Sequence, residues 1–239
     1  MLSILRQTIR RAQARNLVSR NVAELCDPPL GQKGRRPSNS LTLDQAMASL
    51  AASTKHPSMH GYVTMSLLTG ARAEELRALT WADVDLVGRP EADPPIPPSM
   101  SVVRSVRVDG DTKTTQSRRG MELPSRCVDA LPTHRARSGG GATGLVFHTA
   151  TGAALDAANV RRAFRSVVRD AGLDPAAWTP RELRHSFVSL LSSEGLPIED
   201  ISRLVGHATT RTTERVYRKE LRPVLRRGAT TMDRLFPEA

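Results

Sequence analysis

Residues 179–217 read TPRELRHSFVSLLSSEGLPIEDISRLVGHATTRTTERVY, and the reading of this stretch decides the rest. Pro180 can open a helix at its first position, where a missing N–H costs nothing. On that helix Arg181 and Arg184 stand three apart, which places both guanidinium forks on one face. Gly195-Leu196-Pro197 closes the helix, Ile198 to Val205 forms another, and Gly206-His207 follows its end. Tyr217 comes after a Thr/Arg-rich turn. Two planar cations, an imidazole and a phenol gathered in one pocket would suit a phosphate diester with a nucleophile in reach.

Working outward, the chain has 239 residues, enough for one sizeable domain and an appendage. Its 35 Lys+Arg against 24 Asp+Glu give a formal charge of +11, and arginine predominates. Such an excess suits a polyanion, and arginine grips phosphate in two places where lysine acts as a point charge. No run approaches the roughly 18 apolar residues of a membrane span. Cys26 and Cys127 lie too far apart in the chain to indicate a disulfide framework or a zinc knuckle, and a reducing cytoplasm fits.

From Met1 to Arg20 apolar residues recur at helical intervals between Arg6, Arg10, Arg11 and Arg15. Pro28 to Ser40 (PPLGQKGRRPSNS) reads as an exposed basic linker. Thr42-Leu43-Asp44-Gln45 has the form of a capping box and predicts a helix to about Ala52, the start of the compact domain. Met59 to Thr69 predicts an apolar helix stopped by Gly70, with Tyr62 in the core and its hydroxyl satisfied. TGARAEEL (69–76) places Glu75 three residues after Arg72, on the same helical face. Met100 to Val108 alternates as a half-exposed strand would, and Asp109-Gly110 signals a hairpin returning through TKTTQSRRGMELP. Ser125 to Arg137 reads as helix. Asp156 or Asn159 can cap a further helix running to about Ala171, whose Arg161, Arg162, Arg165 and Arg169 form a basic face, solvated or DNA-facing. The fold class is α+β and mainly helical, with a small antiparallel sheet or hairpin on one side.

These motifs together resemble the tyrosine recombinases of the phage integrase family. That family reads H-x-x-R on one helix, then G-H, then a nucleophilic tyrosine, which maps onto Arg184, His207 and Tyr217. Arg72 matches its first arginine motif, and Lys113, Thr114, Ser117 and Arg119 match its β-hairpin motif K-T-x-x-S-x-R. At the position of the first histidine this chain has Arg181, and the interval from His207 to Tyr217 is slightly longer than the commonest form.

The resemblance implies a catalytic domain over 41–239 with a C-terminal docking helix. Residues 1–40 would then be one leftover helix of a core-binding domain, otherwise missing, plus the linker; an Arg-rich transit peptide is the competing reading of the first helix. The implied chemistry is cleavage and rejoining of double-stranded DNA. Arg72 and Arg184 would offset the phosphate charge, with Arg181 as a third clamp, since a guanidinium cannot act as a base. Tyr217 would attack to leave a 3′-phosphotyrosyl link, its proton taken or oriented by His207, because a phenol's pKa is about 10. Lys113 would protonate the leaving 5′-oxygen, and Glu75 would orient Arg72 or its neighbours. DNA contacts would come from Arg35, Arg36, Thr114, Ser117 and Arg119. The phosphotyrosine stores the bond energy, so neither a metal nor another cofactor is called for. The partners implied are DNA, in the cytoplasm and on the nucleoid, and three further copies in a tetramer docked through residues 221–236, whose packing in cis is the alternative. Two other functional readings stand beside the recombinase: a type IB topoisomerase, and a catalytically idle DNA-binding remnant of a mobile element.

Overall fold

The computed structural model describes residues 2–26, 39–106, 118–139 and 144–206. The chain divides into two compact units, Met1–Pro37 and Ser38–Ala239.

In the first unit, helix α1 covers Leu2–Gln13 and a single 3-10 turn covers Val22–Glu24. The helix ends well short of Arg20, because Asn16 turns the chain back with φ +56°. The returning segment is then pinned from α1. Arg6 donates to the Ala23 and Cys26 carbonyls at 2.8 and 2.6 Å, Asn21 donates to the Arg6 carbonyl, and Arg10 pairs with Glu24 at 2.8 Å. Helical periodicity continued in the sequence where the backbone bonds did not.

The second unit is arranged around one helix. Helix α2 (Leu43–Ser53) starts where expected, with the Thr42 side chain on the Gln45 N–H and the Gln45 side chain on the Thr42 N–H. Such a cap is worth about 1 kcal/mol. Helix α3 (Pro57–Thr69) is buried on nearly every side, as its apolar composition all round its circumference requires. After it come α4 (Ala73–Ala78), α5 (Ser125–Ser138), α6 (Ala157–Asp170), α7 (Pro180–Ser193) and α8 (Ile198–Val205). Helix α3 packs against α2, α4, α5, α6 and α7. Asp156 caps α6 through the Ala158 and Asn159 N–H groups.

Three short strands, β1 (Val84–Asp85), β2 (Ser99–Val102) and β3 (Arg119–Glu122), form an antiparallel sheet in that order, with Met100 opposite both Val84 and Met121. Thus the mainly helical α+β expectation holds. Strand β2 ends at Val102, with a further single bridge at Arg104, and the Val106 N–H donates to the Glu74 carbonyl at 3.3 Å; Arg107 and Val108, the end of the predicted strand, lie outside the described residues. The Asp109-Gly110 turn lies outside the described residues.

Tyr62 is in the core, edge-on to Phe147 at 5.3 Å between ring centroids. Its hydroxyl was expected to be satisfied, but among the described residues it has no hydrogen-bond partner. Burial, the dominant influence, raises its pKa above that of a free phenol. The ring's packing outweighs the lost bond, since burial of an aromatic side chain is worth up to about 3 kcal/mol.

Two features of the second unit place the site. Gly70 ends α3 in the left-handed region at φ +62°, and a Cβ there would lie 2.3 Å from Phe187 Cδ1 on α7. Gly70→Ala therefore combines a backbone penalty of about 1–2 kcal/mol with overpacking of similar size. The expected loss is about 2–4 kcal/mol in urea unfolding; a loss below about 0.5 kcal/mol would show that Phe187 swings clear at no cost. Secondly, Val188, Ile201 and Val205, flanked by Phe187 and Leu191, form a small apolar cluster separate from the main core and join α7 to α8.

Candidate active site

Helix α7 begins with a capping box that the sequence also spells. Glu182 accepts from the Thr179 N–H at 2.9 Å and from its hydroxyl at 2.5 Å, with Pro180 at the first helical position. The Ser186 hydroxyl receives the Leu41 N–H at 2.8 Å, which fixes α7 to the start of the second unit. One turn into α7 stands Arg184, only 9% exposed. It donates through Nη1 to the Gly70 carbonyl at 2.6 Å and through Nη2 to the Val205 carbonyl at 2.5 Å.

Arg72 sits at the N-cap of α4, two residues after the left-handed Gly70. Glu75, at the third position of that helix, accepts from the Arg72 backbone N–H at 2.8 Å and from its Nη1 at 2.5 Å. The second nitrogen, Nη2, donates to the Gly206 carbonyl at 3.1 Å. Arg119, at the start of β3, approaches the same carboxylate. Its Nη2 lies 2.9 Å from one Glu75 oxygen and Nη1 3.3 Å from the other, while Nε donates to the Leu204 carbonyl at 2.7 Å.

Three guanidinium groups thus end on three successive carbonyls, those of Leu204, Val205 and Gly206. These belong to the end of α8, where carbonyls have no helical partner and the helix carries partial negative charge. Acidic Glu199 and Asp200 in the first turn of α8 match its other end. Gly206 closes the helix in the left-handed conformation at φ 62°, and His207 is the next residue in the chain.

One buried carboxylate, Glu75, bonds two of the three cations. Burial alone would raise its pKa, but the Arg119 hydrogen bond and the charges of Arg119 and Arg72 outweigh it and hold the value down at about 2. Desolvation, reinforced by the nearby positive charge of Arg72, pushes Arg184 down to about 9, which leaves it protonated at neutral pH. Three guanidinium groups gather around this carboxylate and a helix end of only partial negative charge, with Glu74 acting on Arg184 besides, so positive charge predominates among the groups bonded there. An anion is the complement of such a site.

The sequence-derived candidates divide accordingly. Arg72, Glu75 and Arg184 come together. Arg119, expected on the DNA, has a side chain only 7% exposed and joins the same cluster. Arg181 is exposed on the first turn of α7 while Arg184 is buried. Lys113, Thr114, Ser117, His207, Tyr217, Arg35 and Arg36 lie outside the described residues. The carbonyl of Gly70 and those ending α8 were missed, because a main-chain acceptor leaves no mark in a residue list; the Thr179–Glu182 box was legible as T-x-x-E. On α6, Arg161, Arg162, Arg165 and Arg169 are exposed opposite buried Val160, Phe164, Val167 and Val168. Among the described residues no cluster of three or more metal-ligating side chains occurs, and no helix is long and apolar enough to cross a membrane.

Comparison with known proteins adds the relationships. The family model described as the phage integrase family matches residues 39–222. An integrase of Streptomyces ambofaciens is 54% identical over 244 residues, an alignment covering 98% of this chain and 62% of that protein. A tyrosine recombinase XerC of Pelobacter propionicus is 27% identical, covering 90% of this chain and 66% of its own length. The chain therefore spans about three-fifths of these relatives. In fold it is similar to the Tn1549 transposon integrase solved with a circular intermediate DNA (TM-score 0.74, 18% identity, 98% of this chain and 77% of that one). It is similar also to the XerA recombinase (TM-score 0.62, 22% identity, 91% and 72%).

Proposed function

The chain belongs to the phage integrase family, and on that premise we propose that it is a site-specific DNA recombinase, cutting and rejoining double-stranded DNA through a 3′-phosphotyrosyl intermediate. One observation carries the reading: Arg72 and Arg184, from different helices, meet at the end of α8 one residue before His207. A phosphodiester docked there would meet fixed cations that offset its charge and stabilise the further charge of the pentacoordinate transition state. Tyr217 is the nucleophile of this scheme, His207 its proton acceptor or orienter and Lys113 the acid for the leaving oxygen. Arg181, exposed one turn from Arg184, contributes charge to the phosphate and no proton transfer. Glu75 holds Arg72 in place. The working partners are DNA and further copies of the chain, docked through residues 221–236 into a tetramer across two duplexes. Residues 1–40 supply a helix and a basic strap and 41–239 the catalytic domain, with Arg35 and Arg36 on the DNA backbone.

The test uses a pool of nicked duplexes of randomised sequence, from which the short strand released by cleavage diffuses away. The expected product is a denaturant-resistant adduct joined through tyrosine, with a 5′-hydroxyl on the released strand. Binding without any adduct would favour the idle remnant, and relaxation of a supercoiled plasmid without strand exchange, assayed alongside, the topoisomerase. In the same assay Arg181→His should retain cleavage within about tenfold, because either side chain donates to a phosphate oxygen. Complete loss would assign Arg181 a role that only a permanent charge fills.

A further inference from the structure

We propose that Arg119 is a positioning residue for DNA cleavage and not a contact to DNA: it forks onto Glu75, the carboxylate that holds Arg72, and tethers the Leu204 carbonyl at the end of α8. The inference rests on the functional reading above.

Three observations lead to it. The Arg119 side chain is 7% exposed and Glu75 3%, so this pair faces the protein interior. Each Glu75 oxygen receives one Arg119 nitrogen, at 2.9 and 3.3 Å, which fixes the plane of the carboxylate as a single bond would not. That same carboxylate accepts both the backbone and the side chain of Arg72. Meanwhile the third nitrogen of Arg119 reaches a different element, α8, at 2.7 Å. One guanidinium therefore ties strand β3 to the N-terminus of α4 and to the turn leading into His207. Along the chain Arg119 also stands two residues after Ser117, in the segment that bears Lys113. Lysine in its place would keep the charge but could not span a carboxylate and a carbonyl on separate elements at once. Loss of the tether would leave Arg72 and the His207 turn free to drift, and displacement by about 1 Å can cost a hundredfold in rate.

The experiment compares the parent chain with Arg119→Lys and, should lysine prevent folding, Arg119→Gln. Single-turnover cleavage is followed on the nicked duplex recovered from the randomised pool, at a temperature where circular dichroism shows both proteins folded. At saturating protein, adduct formation should slow by about 10–100-fold, while the protein concentration giving half-maximal rate changes less than about twofold. Adding Glu75→Gln to the variant should slow it by clearly less than the product of the two single effects, since both act in part through one carboxylate. A weakened half-saturation with an unchanged maximal rate would make Arg119 a DNA contact and overturn the inference. Multiplicative effects of the two substitutions would overturn it as well, by separating Arg119 from Glu75. No adduct from the parent chain would instead overturn the functional reading, and this inference with it.

Discussion

Tyr217→Phe is expected to abolish the covalent protein–DNA adduct while leaving affinity for the duplex within about twofold. The substitution removes one oxygen, the atom that forms the bond to phosphorus, and leaves the ring. None of the guanidinium groups gathered at the end of α8 depends on that oxygen for the contacts described. Removing the nucleophile of an enzyme that works through a covalent intermediate costs more than a thousandfold, because the remaining groups have nothing to activate. The chain has two tyrosines, and the other cannot stand in: Tyr62 is 0% exposed in the core. An adduct formed at an undiminished rate would therefore move the attack to a serine or threonine hydroxyl, and peptide mapping of the trapped product would identify it.

Glu75→Gln should be the most destabilising of the polar substitutions at the site. Glutamine is nearly isosteric, so the space is filled, but the three guanidinium groups lose the buried negative charge that two of them bond directly. The pH dependence gives the sign. Glu75 is held at about 2, below the ordinary carboxylate value of 4.5. Its ionisation thus contributes stability that is full above that ordinary value and is lost as the pH falls through about 2. The contribution is roughly 3 kcal/mol at neutral pH. Urea unfolding at pH 7 should show the variant less stable by about that amount, and the gap between the two proteins should narrow steadily from about pH 5 downward. A gap of constant size would attribute the loss to geometry and not to charge. Cleavage should fall too, since glutamine keeps only one of the two oxygens that Arg72 uses.

How far the sequence spoke depended on range. Short-range signals read correctly: the Thr42 box, Pro180 at a helix start and Gly70 as a stop are each decided within four residues, and of the two caps open for α6, Asp156 and Asn159, it is Asp156. Failures came where a distant group intervened. Helix α1 stops at Gln13, where Asn16 turns the chain back and bonds from Asn21 and to Ala23 tie the returning segment to Arg6, and beyond β2 the Val106 N–H is taken by the Glu74 carbonyl. The site itself is assembled by bonds spanning 44, 85, 114 and 134 positions, which no local periodicity encodes. Motif resemblance supplied Arg72 and Arg184. It gave Arg119 as a hairpin arginine, and the burial of that side chain depends on α8 lying beside β3, 85 positions away.

The end of α8 is gripped through main-chain oxygen atoms, and this has a bearing on which mutations the cluster can absorb. Amino-acid exchange at Leu204, or one that keeps the apolar volume of buried Val205, alters the side chain and leaves the acceptor where it was, so such drift is shielded from the arginines so long as the helix persists. Vulnerability is transferred to the path of the backbone. A proline at 205, or a branched residue forced into the left-handed turn at 206, would misdirect all three grips together without touching one of the charged groups.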